Sequence, residues 1–269
     1  MALPQPSSQT YSVVTGASQG IGRSLARHLA KRGHNVILVA RRADVLDKLA
    51  AEITSTYGVE VLSRPCDLSD PEARAALINE LRSTEVTILC NDAGTATFGS
   101  VVKLPEEKEH LQFQLNANAV HELTLAVLPR MVARGEGAIL NVGSAAGNMP
   151  IAYNATYAGT KAFVNTFSES LRYELADYGI NVTLLAPGPV RPADKPKEEE
   201  TFLDRMIPSF MWANSDQVAE QSLAALAANK RRIVPGVLGK VLNAVGYLPH
   251  AITSPINKIT YGALAGDNK

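Results

Sequence analysis

The chain has 269 residues, with 26 Lys plus Arg against 26 Asp plus Glu, so its formal net charge is zero. That length suits one large α/β domain, and 46% hydrophobic with 19% charged residues is a folded rather than a disordered composition. The neutral balance argues against a dedicated nucleic-acid binder, which needs excess positive charge to meet phosphates.

Residues 1–10 read as an N-terminal extension without the positive flank and apolar run of a signal peptide. YSVVT (11–15) is a strand candidate, followed by an amphipathic helix over Gly20–Lys31. VILVA (36–40) is a second strand, and 45–56 a second helix. Further strands are expected at 59–63, 86–90, 138–142, 181–185 and 232–235, with helical patterns in most gaps. Alternation repeated this often implies seven parallel strands with helices on both faces. PGPVRPADKPKEEE (187–200) breaks the rhythm as a Pro-rich charged loop, and 189–212 is expected to form a substrate loop or lid. In the tail, 236–269, Val237, Leu238, Val241, Leu242, Val245 and Leu248 form a helical apolar stripe ending near Pro249. Three roles compete for it: closing a substrate pocket, contacting another subunit, or lying on a membrane. Packing on its own protein is favoured, because Lys240 is the only basic residue on its polar face.

TGASQGIG (15–22) joins the first strand to the first helix. Gly16 permits a sharp turn. Gly20 and Gly22 keep side chains out from between backbone and ligand, and the helix N-terminus suits a pyrophosphate. Tyr157 and Lys161 are four apart and share a helix face. A neighbouring ammonium lowers a phenol's pKa from its usual value of about 10 toward neutrality, where it can exchange protons with an alcohol or carbonyl. Ser144 ends the fifth strand, on the edge where open α/β sheets place ligands.

TGASQGIG, CDL (66–68), NDAG (91–94), Asn116, Ser144, YAGTK (157–161) and PG (187–188) occur in one order between residues 11 and 235. In that set the chain resembles the short-chain dehydrogenase/reductase family. The resemblance implies a single-domain, doubly wound Rossmann fold. It implies cofactor contacts from Gly16, Ser18, Gln19, Gly20, Ile21 and Gly22. It extends them to Asp67 and Leu68 at the adenine, to Asn91, Ala93 and Gly94 beneath the ribose, and to Pro187, Gly188 and Val190 beside the nicotinamide. NAD-preferring relatives carry an acidic residue at the end of the second strand. Ala40 stands there, followed by Arg41 and Arg42, so NADP(H) rather than NAD(H) is expected, with Arg41 the main contact. By the same resemblance Tyr157 is the general acid/base, Lys161 tunes it and holds the ribose, Ser144 bonds the substrate carbonyl, and Asn116 holds a relay water. Asp92 replaces the second Asn of the family's NNAG, Gly143 replaces a frequent Ser, and Pro192 stands near a frequent Thr.

Ser144 lies in GSAAG, which misses the GxSxG elbow of hydrolases. Cys66 and Cys90 read as reduced core residues, and the five histidines as surface or helix-face residues; neither set has metal-site spacing, so no metal is expected. Substrate contacts are expected from Ser144, Ala146, Tyr157, Phe202 and Met206. The apolar residues of 145–153 and 202–212 favour a hydrophobic ketone or a 3-oxoacyl compound. Apolar stripes on 120–132 and 157–178 match helices by which family members pair, so a homodimer or homotetramer is expected, in the cytoplasm. The alternatives are a dinucleotide-binding sensor or scaffold without turnover, and a membrane-associated lipid or steroid ketoreductase.

Overall fold

The computed structural model describes residues 2–191 and 212–264. Its sheet has seven strands: β1 (Tyr11–Thr15), β2 (Asn35–Ala40), β3 (Val61–Pro65), β4 (Val86–Asn91), β5 (Gly137–Val142), β6 (Ile180–Leu185) and β9 (Arg232–Ile233). A parallel pair of two-residue strands, β7 (Val190–Arg191) and β8 (Ala213–Asn214), lies apart from it. The large sheet is parallel, in the order β3-β2-β1-β4-β5-β6-β9. β4, β5 and β6 are buried at every residue, as continuous apolar runs covered on both faces must be.

Alternation along each strand divides the core in two. Val36 and Leu38 of β2 face Leu25 and Leu29 of α1 (Gly20–Lys31), Leu46 and Ile53 of α2 (Ala43–Tyr57), and Leu223 and Leu226 of α7 (Ser215–Ala227). Ile37 and Val39 face the opposite layer, where Leu77 and Leu81 of α3 (Pro71–Ser83), Leu123 and Met131 of α5 (Ala119–Arg134) and Leu171 of α6 (Ala155–Glu174) pack. The expected doubly wound Rossmann architecture is therefore present. Strand order reverses between β1 and β4, which opens a crevice at their carboxyl ends.

Several boundaries differ from expectation for local reasons. β3 begins two residues late because the Glu60 amide donates to Asn35 Oδ1 at 3.1 Å, so the ladder starts at Val61. α4 (Glu106–Phe113) runs into α5 through a π-helical turn, Gln114–Asn118. Arg74, buried on α3, braces that turn. Its guanidinium donates to Glu122 at 2.8 Å, to the Leu68 carbonyl at 2.7 Å and to Gln114 at 3.0 Å. Arg74→Met removes all three bonds while keeping most of the apolar stem. Its expected cost is about 2 kcal/mol of unfolding free energy in urea titrations.

Of the histidines, His34 departs from the expected surface position. It is buried where α1 turns into β2, and burial, with the Arg32 charge, lowers its pKa. The apolar stripe of the tail packs on the protein only in part. α8 (Val237–Val245) comes closest to the body at a glycine: a Cβ on Gly239 would lie 2.9 Å from the Gly188 nitrogen. Leu238, Leu242 and Val245 are half-buried, whereas Val237, Val241 and Leu248 are exposed. A further helix, α9 (His250–Leu264), follows beyond Pro249. Among the described residues no helix is long and apolar enough to cross a membrane.

Candidate active site

The crevice at the carboxyl ends of β1 and β4 is a cleft of about 670 Å³, within the range of small-molecule sites. The glycine turn forms one wall. Gly16 and Gly20 have φ of +69° and +57°, a conformation that favours glycine, and a Cβ on Gly20 would meet nothing within 4 Å. The turn therefore leaves open space at the N-terminus of α1, where free N–H groups attract anions. Ser18, Gln19, Gly20 and Ile21 line it. Gly22 instead closes the turn: a Cβ there would lie 2.5 Å from the Gly16 carbonyl oxygen.

The far end of the cleft is basic. Arg41 and Arg42 both line it, and Arg42 Nη2 donates to Ser18 Oγ and Gln19 Oε1, each at 3.1 Å. Arg42 is thus tied to the glycine turn. Asp67 and Leu68 line the adjacent wall, with Asp67 Oδ1 accepting from the Ser69 amide at 3.0 Å and hydroxyl at 2.6 Å. Ala93, Gly94, Pro187 and Val190 complete the cleft. Two expected contacts lie elsewhere. Asn91 is one layer down, donating to Asn141 Oδ1 at 2.9 Å and joining β4 to β5. Gly188 faces α8, where a Cβ would lie 2.6 Å from the Gly239 Cα.

Tyr157 and Lys161, one turn apart on α6, line the other end. Lys161 Nζ donates to the Val142 carbonyl at 2.8 Å and lies 5.8 Å from the centre of the Tyr157 ring. Burial lowers the Lys161 pKa to about 8, against the pull of Asp92. Asp92 keeps part of its surface open to the cleft, but its carboxyl packs among the glycine-turn backbone. That desolvation raises its pKa to about 7, opposed by Lys161 and the Gly22 amide.

Ser144 caps the 3-10 turn Ala145–Asn148, its Oγ accepting from the Ala146 amide at 3.1 Å. With an acceptor site so used, the hydroxyl hydrogen remains to donate to a substrate oxygen. Asn165 was not anticipated, yet it fixes this serine. Its Oδ1 accepts from the Ser144 amide at 3.3 Å, and its Nδ2 donates to the Ser144 carbonyl at 2.9 Å. It follows Lys161 by four residues, so the spacing of Tyr157 and Lys161 extends to it. Asn165 also explains Gly143, where a Cβ would lie 2.0 Å from Asn165 Oδ1.

Asn116 is buried in the π-helical turn, with its carboxamide engaged by Thr95: Nδ2 donates to the carbonyl at 2.8 Å and Oδ1 accepts from the amide at 2.9 Å. A Cβ on Gly94 would lie 3.3 Å from Asn116 Oδ1 and 3.5 Å from Lys161 Nζ, so both groups meet at that glycine. Ala146 packs half-buried against Met149, Ile151 and Ala158. Phe202 and Met206, and most of the expected lid, lie outside the described residues.

Residues 11–201 match the family model for short chain dehydrogenase. A very-long-chain 3-oxoacyl-CoA reductase of Laccaria bicolor is 43% identical over 176 residues, 64% of this chain and 52% of that protein. A very-long-chain 3-oxoacyl-CoA reductase-B of Danio rerio is 34% identical over 90% of this chain and 73% of its own length. The chain thus spans about half the length of the Laccaria relative. Among solved structures, a short-chain dehydrogenase from Sphingobium yanoikuyae in complex with NADPH superposes with a TM-score of 0.77 at 31% identity, covering 95% of this chain and 94% of that one. A bulky-bulky ketone specific alcohol dehydrogenase from Comamonas testosteroni gives 0.77 at 28% identity, covering 91% and 94%. With its doubly wound sheet, glycine turn and Tyr157–Lys161 pair, the chain belongs to the short-chain dehydrogenase family.

Proposed function

We propose that the chain is an NADP(H)-dependent reductase that interconverts a carbonyl and a secondary alcohol. One observation carries this reading: a single cleft has Arg41 and Arg42 at one end and Tyr157 and Lys161 at the other. The glycine turn and α1 terminus would hold the pyrophosphate, the two arginines the 2′-phosphate, and Lys161 the nicotinamide ribose. When bound, the nicotinamide supplies a hydride to the carbonyl carbon. Tyr157 then gives its phenolic proton to the carbonyl oxygen, with the Lys161 ammonium stabilising the phenolate left behind. Ser144 donates its hydroxyl to that oxygen as negative charge develops. Asn116, beside Lys161 at Gly94, would lead replacement protons in from solvent.

An apolar ketone or a 3-oxoacyl compound is the proposed substrate, supported by the names of the Laccaria and Comamonas relatives. The direct test is NADPH consumption with long-chain 3-oxoacyl thioesters and bulky aryl ketones. Ser144→Ala should lower kcat by about 10²-fold to 10³-fold; a loss below about threefold with every active substrate would remove Ser144 from the mechanism.

The pH dependence follows from Lys161. A cation with a lowered pKa of about 8 is charged below that value, so reduction should decline as pH rises through it. Asp92 opposes that lowering by its negative charge. Asp92→Asn should therefore move the alkaline limb of kcat to lower pH, by about half a unit or more. A limb that stays in place or moves upward contradicts the coupling.

A homodimer or homotetramer and a cytoplasmic location belong to the same reading. Phe163 on α6 is 38% exposed and stacks on Phe167 at 5.4 Å, while Leu125 on α5 is 50% exposed, leaving apolar surface for a second copy. Free Cys66 and Cys90 suit a reducing compartment. Sedimentation that shows only a 29 kDa species at micromolar concentration would contradict the assembly.

A further inference from the structure

A second cavity, of about 680 Å³, lies under α9 and, among the described residues, shares no wall residue with the nucleotide cleft. We infer that it binds a single-chain amphiphile with an anionic head, a long-chain carboxylate in its simplest form.

The two sides of the cavity differ in chemistry. One side is the loop after Ser144 together with the outer face of α6. There Met149, Ile151 and Ala158 form a small buried apolar cluster, and Gly159 and Ala162 extend the apolar surface along the helix. The other side is α9, which presents His250, Ser254 and Lys258 at intervals of four, hence along one helix face. Among the described residues no carboxylate lines the cavity. An apolar floor facing an edge of hydrogen-bond donors and an ammonium matches a chain laid on Met149 and Ile151, with its charged head at Lys258. Contact between α9 and this loop is close: a Cβ on Gly262 would lie 3.2 Å from the Tyr153 ring. The volume lies within the range of small-molecule sites and suits a single chain better than a bilayer surface.

This inference stands whether or not the nucleotide cleft turns over a carbonyl. Two substitutions address the two halves of the ligand. Lys258→Glu reverses the charge at an exposed position. Gly159→Leu fills the cavity: a Cβ there meets nothing within 4 Å, and leucine is the better helix former. Calorimetric titration of the intact protein with dodecanoate, below its micelle concentration, should give one saturable site. Dodecylamine, with the same chain and a cationic head, should bind at least tenfold more weakly. Each variant should weaken dodecanoate at least tenfold while leaving NADPH affinity within twofold. The inference is overturned by the absence of a saturable site, by parent-like affinity in either variant, or by equal binding of dodecylamine. Binding to anionic phospholipid vesicles with none to monomeric dodecanoate would overturn it in favour of a membrane surface.

Discussion

Replacing Tyr157 by Phe should lower kcat for carbonyl reduction by about three orders of magnitude and leave NADPH affinity within about twofold. The asymmetry follows from where the hydroxyl acts. The rest of the ring stays beside Lys161 on α6, and the cleft keeps its glycine turn and arginines. What disappears is the proton donor, and the carbonyl oxygen must then collect its proton from water with no positioned acid. Lys161→Met should behave differently, losing both kcat and nucleotide affinity, because the proposed role of this cation is to serve the phenol and the ribose together. It also removes the bond to the Val142 carbonyl, so its fold needs checking by thermal melting. Steady-state kinetics and fluorescence titration on the same preparations separate the two effects. A Tyr157→Phe enzyme within tenfold of the parent would assign the proton to another group.

Arg42→Ala should weaken NADPH by about 10-fold to 100-fold, or about 1.4 to 2.7 kcal/mol, with NADH nearly unaffected. A phosphate held by a guanidinium gains charge-assisted bonds that a ribose hydroxyl does not. Arg42 is already oriented by Ser18 and Gln19, so less side-chain freedom is lost on binding. Arg41→Ala should act in the same direction, and the double variant should approach equal affinities for the two nucleotides. Weakening of NADPH and NADH by the same factor would instead place Arg42 in support of the glycine turn alone.

The sheet was legible because its strands are short apolar runs and its helices are longer segments with a 3.6-residue stripe; length and period together separate them. The cleft was legible because its backbone chemistry leaves marks in sequence: Gly16 and Gly20 adopt positive φ, and Gly22 cannot carry a Cβ. The parts that escaped depend on tertiary contact. Asn165 looks like any polar residue of α6 until Ser144 is folded against it. Asn91 sits in a binding motif yet donates its Nδ2 to Asn141, a neighbour fifty residues away. The π-helical turn around Asn116 has no period of its own and follows from Arg74 and Thr95 gripping it from two sides. The tail stripe marked the helix but only part of its contact, because α8 also approaches the body at Gly239, a residue that carries no hydrophobic signal.

The proposed function requires that this cleft read a 2′-phosphorylated dinucleotide and place it for carbonyl reduction. Side-by-side fluorescence titration of the purified protein with NADPH and NADH tests it most directly, before any substrate is known. NADPH should bind at least tenfold tighter than NADH, a gap of about 1.4 kcal/mol. Equal affinity, or a preference for NADH, would contradict the role given to Arg41 and Arg42 and make alcohol oxidation the better reading of the cleft; binding of neither would contradict the nucleotide site itself.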